Sequence, residues 1–377
     1  MKIIHAWIIL FLSIAHMACA QDLADSVREL NSAQNRMAIG RENAGVETAA
    51  KFDAIEALIP TLEPEAWTQP RNLRAAIVYL LGGGAPEHLR EIFDAGFIVG
   101  EEASLLEASL LNAEGDERAA EKIATYDPEQ YPALLGGHLA LVQGSAFLGK
   151  DDTRAIARLD LARLLMPNSL VEEAALRREI RALDPQNHRE KILALASTYA
   201  ARYRASPYTR HLIADLRILL AGSGIDSNPI FVSKLEPVID IAPALDRLDI
   251  YLALCRSSLS GGRLEEARHR LVKAFGAAET RAMRERVEAY QDLIARLDAP
   301  NQPGARLKEP RLSASLTSED RRIIALVSAV LTKIFKHPSD PLGAESKSSL
   351  LQESELVTKV RVRLQHVDNM LKGRKDE

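Results

Sequence analysis

LALVQGSAFLGKDDTRAIARLDLARLLMP, residues 139–167, decides the fold. Two segments with apolar residues at helical spacing flank the Gly149 to Asp152 break, and the second stops at Pro167. Ala155, Leu159, Ala162 and Pro167 fall where the second helix of a tetratricopeptide unit carries its small, large and small residues and its closing proline, whereas the first helix matches less well. YLALCRSSLSGGRLEEARHRLVKAF, 251–275, repeats the frame with Tyr251, Leu254, Cys255, Gly262, Ala267, Leu271 and Ala274. LLEASLLNAEGDERAAEKIATYDP, 105–128, keeps the Gly115 to Ala120 spacing with a shortened second helix. The sequence therefore predicts an all-α fold of stacked helical hairpins, an α-solenoid with degenerate tetratricopeptide-like repeats. An irregular helical bundle is the competing expectation.

Composition points the same way. Aromatics are scarce at 5% while Ala and Leu abound, which favours helices packed through small and aliphatic side chains over strands. Breaks recur at Pro60 to Pro64, Gly82 to Pro86, Gly96 to Gly100, Asp127-Pro128, Asp184-Pro185, Gly222 to Pro229 and Pro300 to Pro310. In a stack each helix has neighbours on two sides, so alanines permit close approach and leucines fill the grooves.

The chain opens MKIIHAWIILFLSIAHMACAQ. Lys2 supplies a positive start, Ala6 to Ala15 an apolar core, and Ala18 and Ala20 a small-x-small cleavage site, so residues 1–20 are expected to be a secretory signal peptide. Lipidation at Cys19 is the rival reading, but His16 stands where a leucine would be expected. Cleavage after Ala20 leaves Cys255 as the remaining thiol and no intramolecular disulfide. It also removes Lys2 and no acid, so 48 basic residues become 47 against 52 acidic ones, a net charge of −5 where the full chain has −4. Neither nucleic acid nor an anionic membrane is expected as partner. No later segment has the length of uncharged apolar sequence that a membrane span needs.

Residues 21–298 are expected to form the helical repeat domain, 299–320 a linker, 321–372 C-terminal helices and 373–377 a disordered tail. Ser318 is a plausible cap for the helix from Arg321 to Phe335, with Glu319 and Asp320 at its positive end.

SLVEEAALRREI, 169–180, carries the densest charge. At 100° per residue, Leu176, Ile180 and Leu183 share one face while Leu170, Val171, Ala174 and Ala175 spread over another, as in a strut packed on both sides. Glu172 and Glu173 diverge and make no catalytic pair. Glu173, Arg177 and Arg181 follow an i, i+4, i+8 stripe in the favourable order. An ordinary solvated stripe is one reading and a partner-binding surface at those three residues the other.

Little else carries chemistry. The histidines show no spacing suited to zinc, and neither a nucleophile elbow nor a phosphate loop is present, so no metal, cofactor or small-molecule substrate is expected and the chain is not read as an enzyme. In LLGGGAPEHL, 80–89, the glycines and Pro86 are read as one helix ending and the next beginning. Glu353-Ser354 matches the catalytic dipeptide of lytic transglycosylases, without the surrounding signature of a sugar cleft.

The string from Gly136 to Ile180, together with V-R-E-L-x-x-x-Q-x-R at Val27 to Arg36, the LLGGG turn and YLALCRSSLSGGRLEEAR, resembles the MotC family of periplasmic motor proteins of flagellated α-proteobacteria. The match spans most of residues 22–300. The resemblance implies an exported, non-enzymatic component of the flagellar motor that binds the periplasmic domain of the stator protein MotB and affects torque or speed. A periplasmic scaffold or a cell-wall-acting protein of the lytic transglycosylase kind is the alternative.

Overall fold

The computed structural model describes residues 22–222, 228–298 and 313–334. The expected signal peptide with Ala18, Cys19 and Ala20, the linker over 299–312, Glu353-Ser354 and the tail lie outside the described residues. The chain divides into two compact units, Met1–Val287 and Glu288–Glu377.

Among the described residues the secondary structure is helical and contains no strand. Helices α1 (Leu23–Ala38) and α2 (Ala44–Leu58) form the first hairpin, and 3-10 turns at Ile59–Thr61 and Pro64–Thr68 lead into α3 (Pro70–Leu81). Next come α4 (Glu87–Asp94), α5 (Ala103–Ala113) and α6 (Ala119–Ala124), the last ending in a 3-10 turn at Pro128–Gln130. The centre is built from α7 (Ala133–Phe147), α8 (Asp152–Leu165), α9 (Leu170–Ala182), α10 (Arg189–Arg202) and α11 (Thr209–Gly222). After it follow α12 (Pro229–Ile239), α13 (Ala244–Ser260), α14 (Leu264–Ala277), α15 (Arg281–Asp298) and α16 (Ser318–Ile334).

Within the first unit, α1 with α2, α7 with α8 and α13 with α14 are the closest pairs. α1 also packs on α3, α3 on α5 and α7, α7 on α9, α9 on α11 and α11 on α13. Contact with both the next helix and the next but one is the order of a helical-repeat stack. The predicted frame is physically used: Ala155, Leu159 and Ala162 are fully buried on α8, and Tyr251, Leu254, Cys255, Ala267, Leu271 and Ala274 are buried across α13 and α14. At 105–128 the frame slips by one, because Ala119 is buried with Ile123 while Ala120 is partly exposed. The second helix there is indeed short, and Gln143 of α7 satisfies its end by donating from Nε2 to the carbonyls of Ile123 at 2.8 Å and Tyr126 at 2.7 Å.

α7 explains why the central hairpin is so close. A Cβ at Gly144 would lie 2.7 Å from Leu159 Cγ of α8, and one at Gly136 would lie 2.4 Å from the carbonyl oxygen of Pro128 in the 3-10 turn before α7. Each glycine weakens the helix by about 0.5–1 kcal/mol relative to alanine, and contact with the neighbouring backbone and core offsets that.

The N-terminal hairpin touches the centre of the stack. Asn35 on α1 accepts from the Leu170 amide of α9 at 3.0 Å, and Gln34 donates to the Gly82 carbonyl at 3.3 Å. Gly40, at φ +71°, sits against Ala205 between α10 and α11. The first unit is therefore braced across more than a hundred residues of sequence, which a periodic pattern does not announce.

His138 on α7 is buried, with Nδ1 2.8 Å from the Leu134 carbonyl, so that nitrogen carries the proton. Burial lowers its pKa below the ordinary 6.5, so the native state stays neutral where the unfolded chain takes up a proton. Stability should then be constant above pH 6.5 for this group and fall as pH drops below it, by at most about 1.4 kcal/mol per unit. Urea titrations on either side of that pH, with His138→Gln as the comparison, should show that the slope diminishes in the variant.

In the second unit, Tyr290 donates to Asp320 Oδ1 at 2.7 Å, both side chains being buried. α16 starts at Ser318 with Thr317 as its cap, in place of the expected Ser318. Thr317 Oγ1 accepts from the Asp320 amide at 3.1 Å and the Asp320 carboxylate accepts from the Thr317 amide at 3.1 Å, a reciprocal box that begins the helix inside the stretch read as linker.

Candidate functional site

The charged stretch of α9 lies inside the first unit. Pro167 breaks α8, Asn168 turns the chain at φ +58°, and Ser169 caps α9 by accepting from the Glu172 amide at 3.1 Å. Glu172 reaches back to accept from the Asn168 amide at 2.6 Å. A second first-turn amide, that of Leu170, is taken by Asn35, so the helix start draws acceptors from two directions.

Glu172 and Glu173 do diverge, and each buried carboxylate ends in its own set of donors. Tyr203 donates to Glu172 Oε2 at 2.6 Å and Arg202 to Oε1 at 2.7 Å. Tyr199 donates to Glu173 Oε1 at 2.6 Å, Ser206 to the same oxygen at 3.2 Å, and Arg177 through Nε at 2.9 Å and Nη2 at 3.1 Å. Burial first, and then the carboxylate beside each, push both phenols above their ordinary pKa, so they stay protonated as donors. Nearly two turns on, Glu179 is held by Arg163 at 2.8 Å and Lys191 at 2.6 Å, and both cations also reach Asp160 at 2.7 Å. Burial pushes the Glu179 carboxyl up, and the hydrogen bond from Lys191 pulls it back.

These carboxylates tie α9 to α8 and α10, and a group with its oxygens so occupied is a brace and not an acid or base for a substrate. The three residues of the predicted stripe accordingly separate. Glu173 is 0% exposed and faces inward, Arg177 lies at the rim with its side chain 14% exposed, and Arg181 is exposed. The premise of a solvated three-residue stripe is corrected, because Tyr199 of α10 draws Glu173 into the packing, as Tyr203 just past its end does Glu172. Those tyrosines, with Ser206, Arg202, Arg163 and Lys191, were missed in the sequence. Tyr199 and Tyr203, one turn apart in a chain poor in aromatics, were the available signal.

Arg177 stacks over the Tyr208 ring at 5.3 Å, and Tyr208 stacks on His211 with centroids 6.1 Å apart. Arg178, desolvated and beside Arg177, has its pKa lowered, and its Nη1 is buried without a hydrogen-bond partner. Around the LLGGG turn, Gly82 caps α3, Gly83 has φ +99°, and the Ala85 amide donates to the Tyr79 hydroxyl at 3.2 Å, which packs the bend as a helix end. Among the described residues no group of three or more His, Cys, Asp and Glu could hold a metal ion, and no helix is long and apolar enough to cross a membrane.

The family described as Chemotaxis protein MotC matches residues 1–375. The chain belongs to the MotC family. A relative, the Chemotaxis protein MotC of Rhizobium meliloti (strain 1021), is 26% identical over 330 residues, which cover 86% of this chain and 75% of the relative. No solved structure matches. Membership in the MotC family places the chain among motility- and chemotaxis-related proteins, and the buried braces of α9 are part of how this MotC-family chain builds its stack.

Proposed function

We propose that the chain is a periplasmic component of the flagellar motor that binds the periplasmic domain of the stator subunit MotB and supports rotation or the control of its speed. Family membership over nearly the whole length carries the reading. Stacked helices support it, since such stacks offer broad, rigid surfaces to protein partners. The candidate contact is the rim of α9 at Arg177 and Arg181, with Glu173 beneath it as the anchor that orients Arg177.

Deletion of the gene should leave flagella assembled while the spread of cells in soft agar falls, and restoring the gene should restore swimming. Unimpaired swimming would overturn the proposal. The purified chain should also retain the periplasmic domain of MotB on a column.

A further inference from the structure

Residues 177–217 hold nine Arg and Lys against four Asp and Glu, in a chain whose net charge is −4. Three of the nine, Arg177, Lys191 and Arg202, are neutralised by the carboxylates of α9. Glu172 is taken by Arg202 and Tyr203, Glu173 by Arg177 and Tyr199, and Glu179 by Arg163 and Lys191.

Apart from Arg178, which is partly buried, those that remain are exposed. On α11, Arg210, His211, Ala214, Arg217 and Ile218 recur at helical spacing and are all exposed, Ile218 at 70%. Arg204 in the preceding turn is exposed as well, and neither it nor Arg210 or Arg217 forms an ion pair among the described residues. α9 packs on α11, and the exposed Arg181 of α9 lies beside this face, where its charge acts with those of Arg177 and His211 on the partly buried Asp215 of α11. The Arg177–Tyr208–His211 stack forms a flat edge to it.

The geometry points to this α9–α11 surface as the docking site for an acidic, amphipathic segment of a protein partner. Guanidinium groups take carboxylates in pairs of hydrogen bonds, the aromatic stack holds one of them in plane, and Ile218 offers an apolar contact beside them. Asp215 within the surface sets a definite charge register, which favours a protein segment over a uniformly anionic membrane. The inference rests on the stator-binding reading above and adds the place and the chemistry of contact.

The test uses the full mature chain and a triple variant, Arg181→Glu, Arg210→Glu and Arg217→Glu, with the purified periplasmic domain of the stator subunit as probe. Binding at low and high salt is measured beside vesicles of phosphatidylglycerol. The expected result is that reversal weakens binding at least about tenfold, that salt weakens the wild type in the same direction, and that vesicles are not retained. Equal binding by the triple variant would overturn the docking site while leaving the stator reading intact. Absence of any wild-type binding would overturn both. Arginine-dependent capture of vesicles would replace the protein partner with a membrane. Arg217→Glu alone, at an exposed position on α11, serves if the triple variant does not fold, with a loss of about threefold expected and an unchanged affinity counting against the site.

Discussion

Glu173→Ala should lower the stability of the first unit by about 3–5 kcal/mol, the usual loss when one member of a buried, hydrogen-bonded ion pair is removed. The carboxylate is 0% exposed and accepts from Tyr199, Ser206 and Arg177. Its loss leaves two buried hydroxyls, those of Tyr199 and Ser206, and a guanidinium without their acceptor, and each such orphan carries a desolvation penalty. Glu173→Gln keeps one acceptor oxygen and should lose less. Urea unfolding followed by far-UV circular dichroism gives the comparison. A change in Glu173→Ala no larger than that of an exposed α9 substitution such as Arg181→Ala would show that the network contributes nothing.

Gly40→Val should be similarly damaging for a different reason. At φ +71° a side chain is strained, and its Cβ would stand 2.3 Å from the Ala205 carbonyl oxygen and 2.4 Å from Ala205 Cβ. The left-handed backbone and the overpacking together cost about 2–5 kcal/mol. The contact is also where the first hairpin meets the α10–α11 turn, so the damage should extend to the Asn35 cap on α9. Hydrogen exchange at the Leu170 amide should quicken in Gly40→Val. Gly45→Ala, on α2 where a Cβ meets nothing within 4 Å, should be neutral or slightly stabilising and is the control. Equal stabilities for the two variants would refute the brace.

Much of the stack is legible in local pattern. Ala155, Leu159 and Ala162 mark the buried side of α8 by spacing alone, and Gly115, Gly149 and Gly262 mark turns because each takes a positive φ. Angular placement also shows that α9 is covered on two sides, and Leu176, Ile180, Val171 and Ala175 are all buried. The slip at Ala119 and the cap at Thr317 were one residue out, since a cap is chosen by which side chain can reach the free amides.

The burial of the α9 carboxylates was not legible in that way. Helical spacing places Glu173 four residues before Arg177 and says nothing of Tyr199, twenty-six residues later, whose hydroxyl makes a buried carboxylate tolerable. By itself the sequence determined the all-helical stack, its punctuation and the family resemblance, because periodicity and turn chemistry act between near neighbours. Only the tertiary structure decided that Glu172, Glu173 and Glu179 are interior, that Asn35 and Gly40 brace the stack from far along the chain, and that Arg204, Arg210 and Arg217 face outward. Each of those depends on which distant donors or acceptors arrive within about 3 Å, a distance that spacing along one helix does not fix.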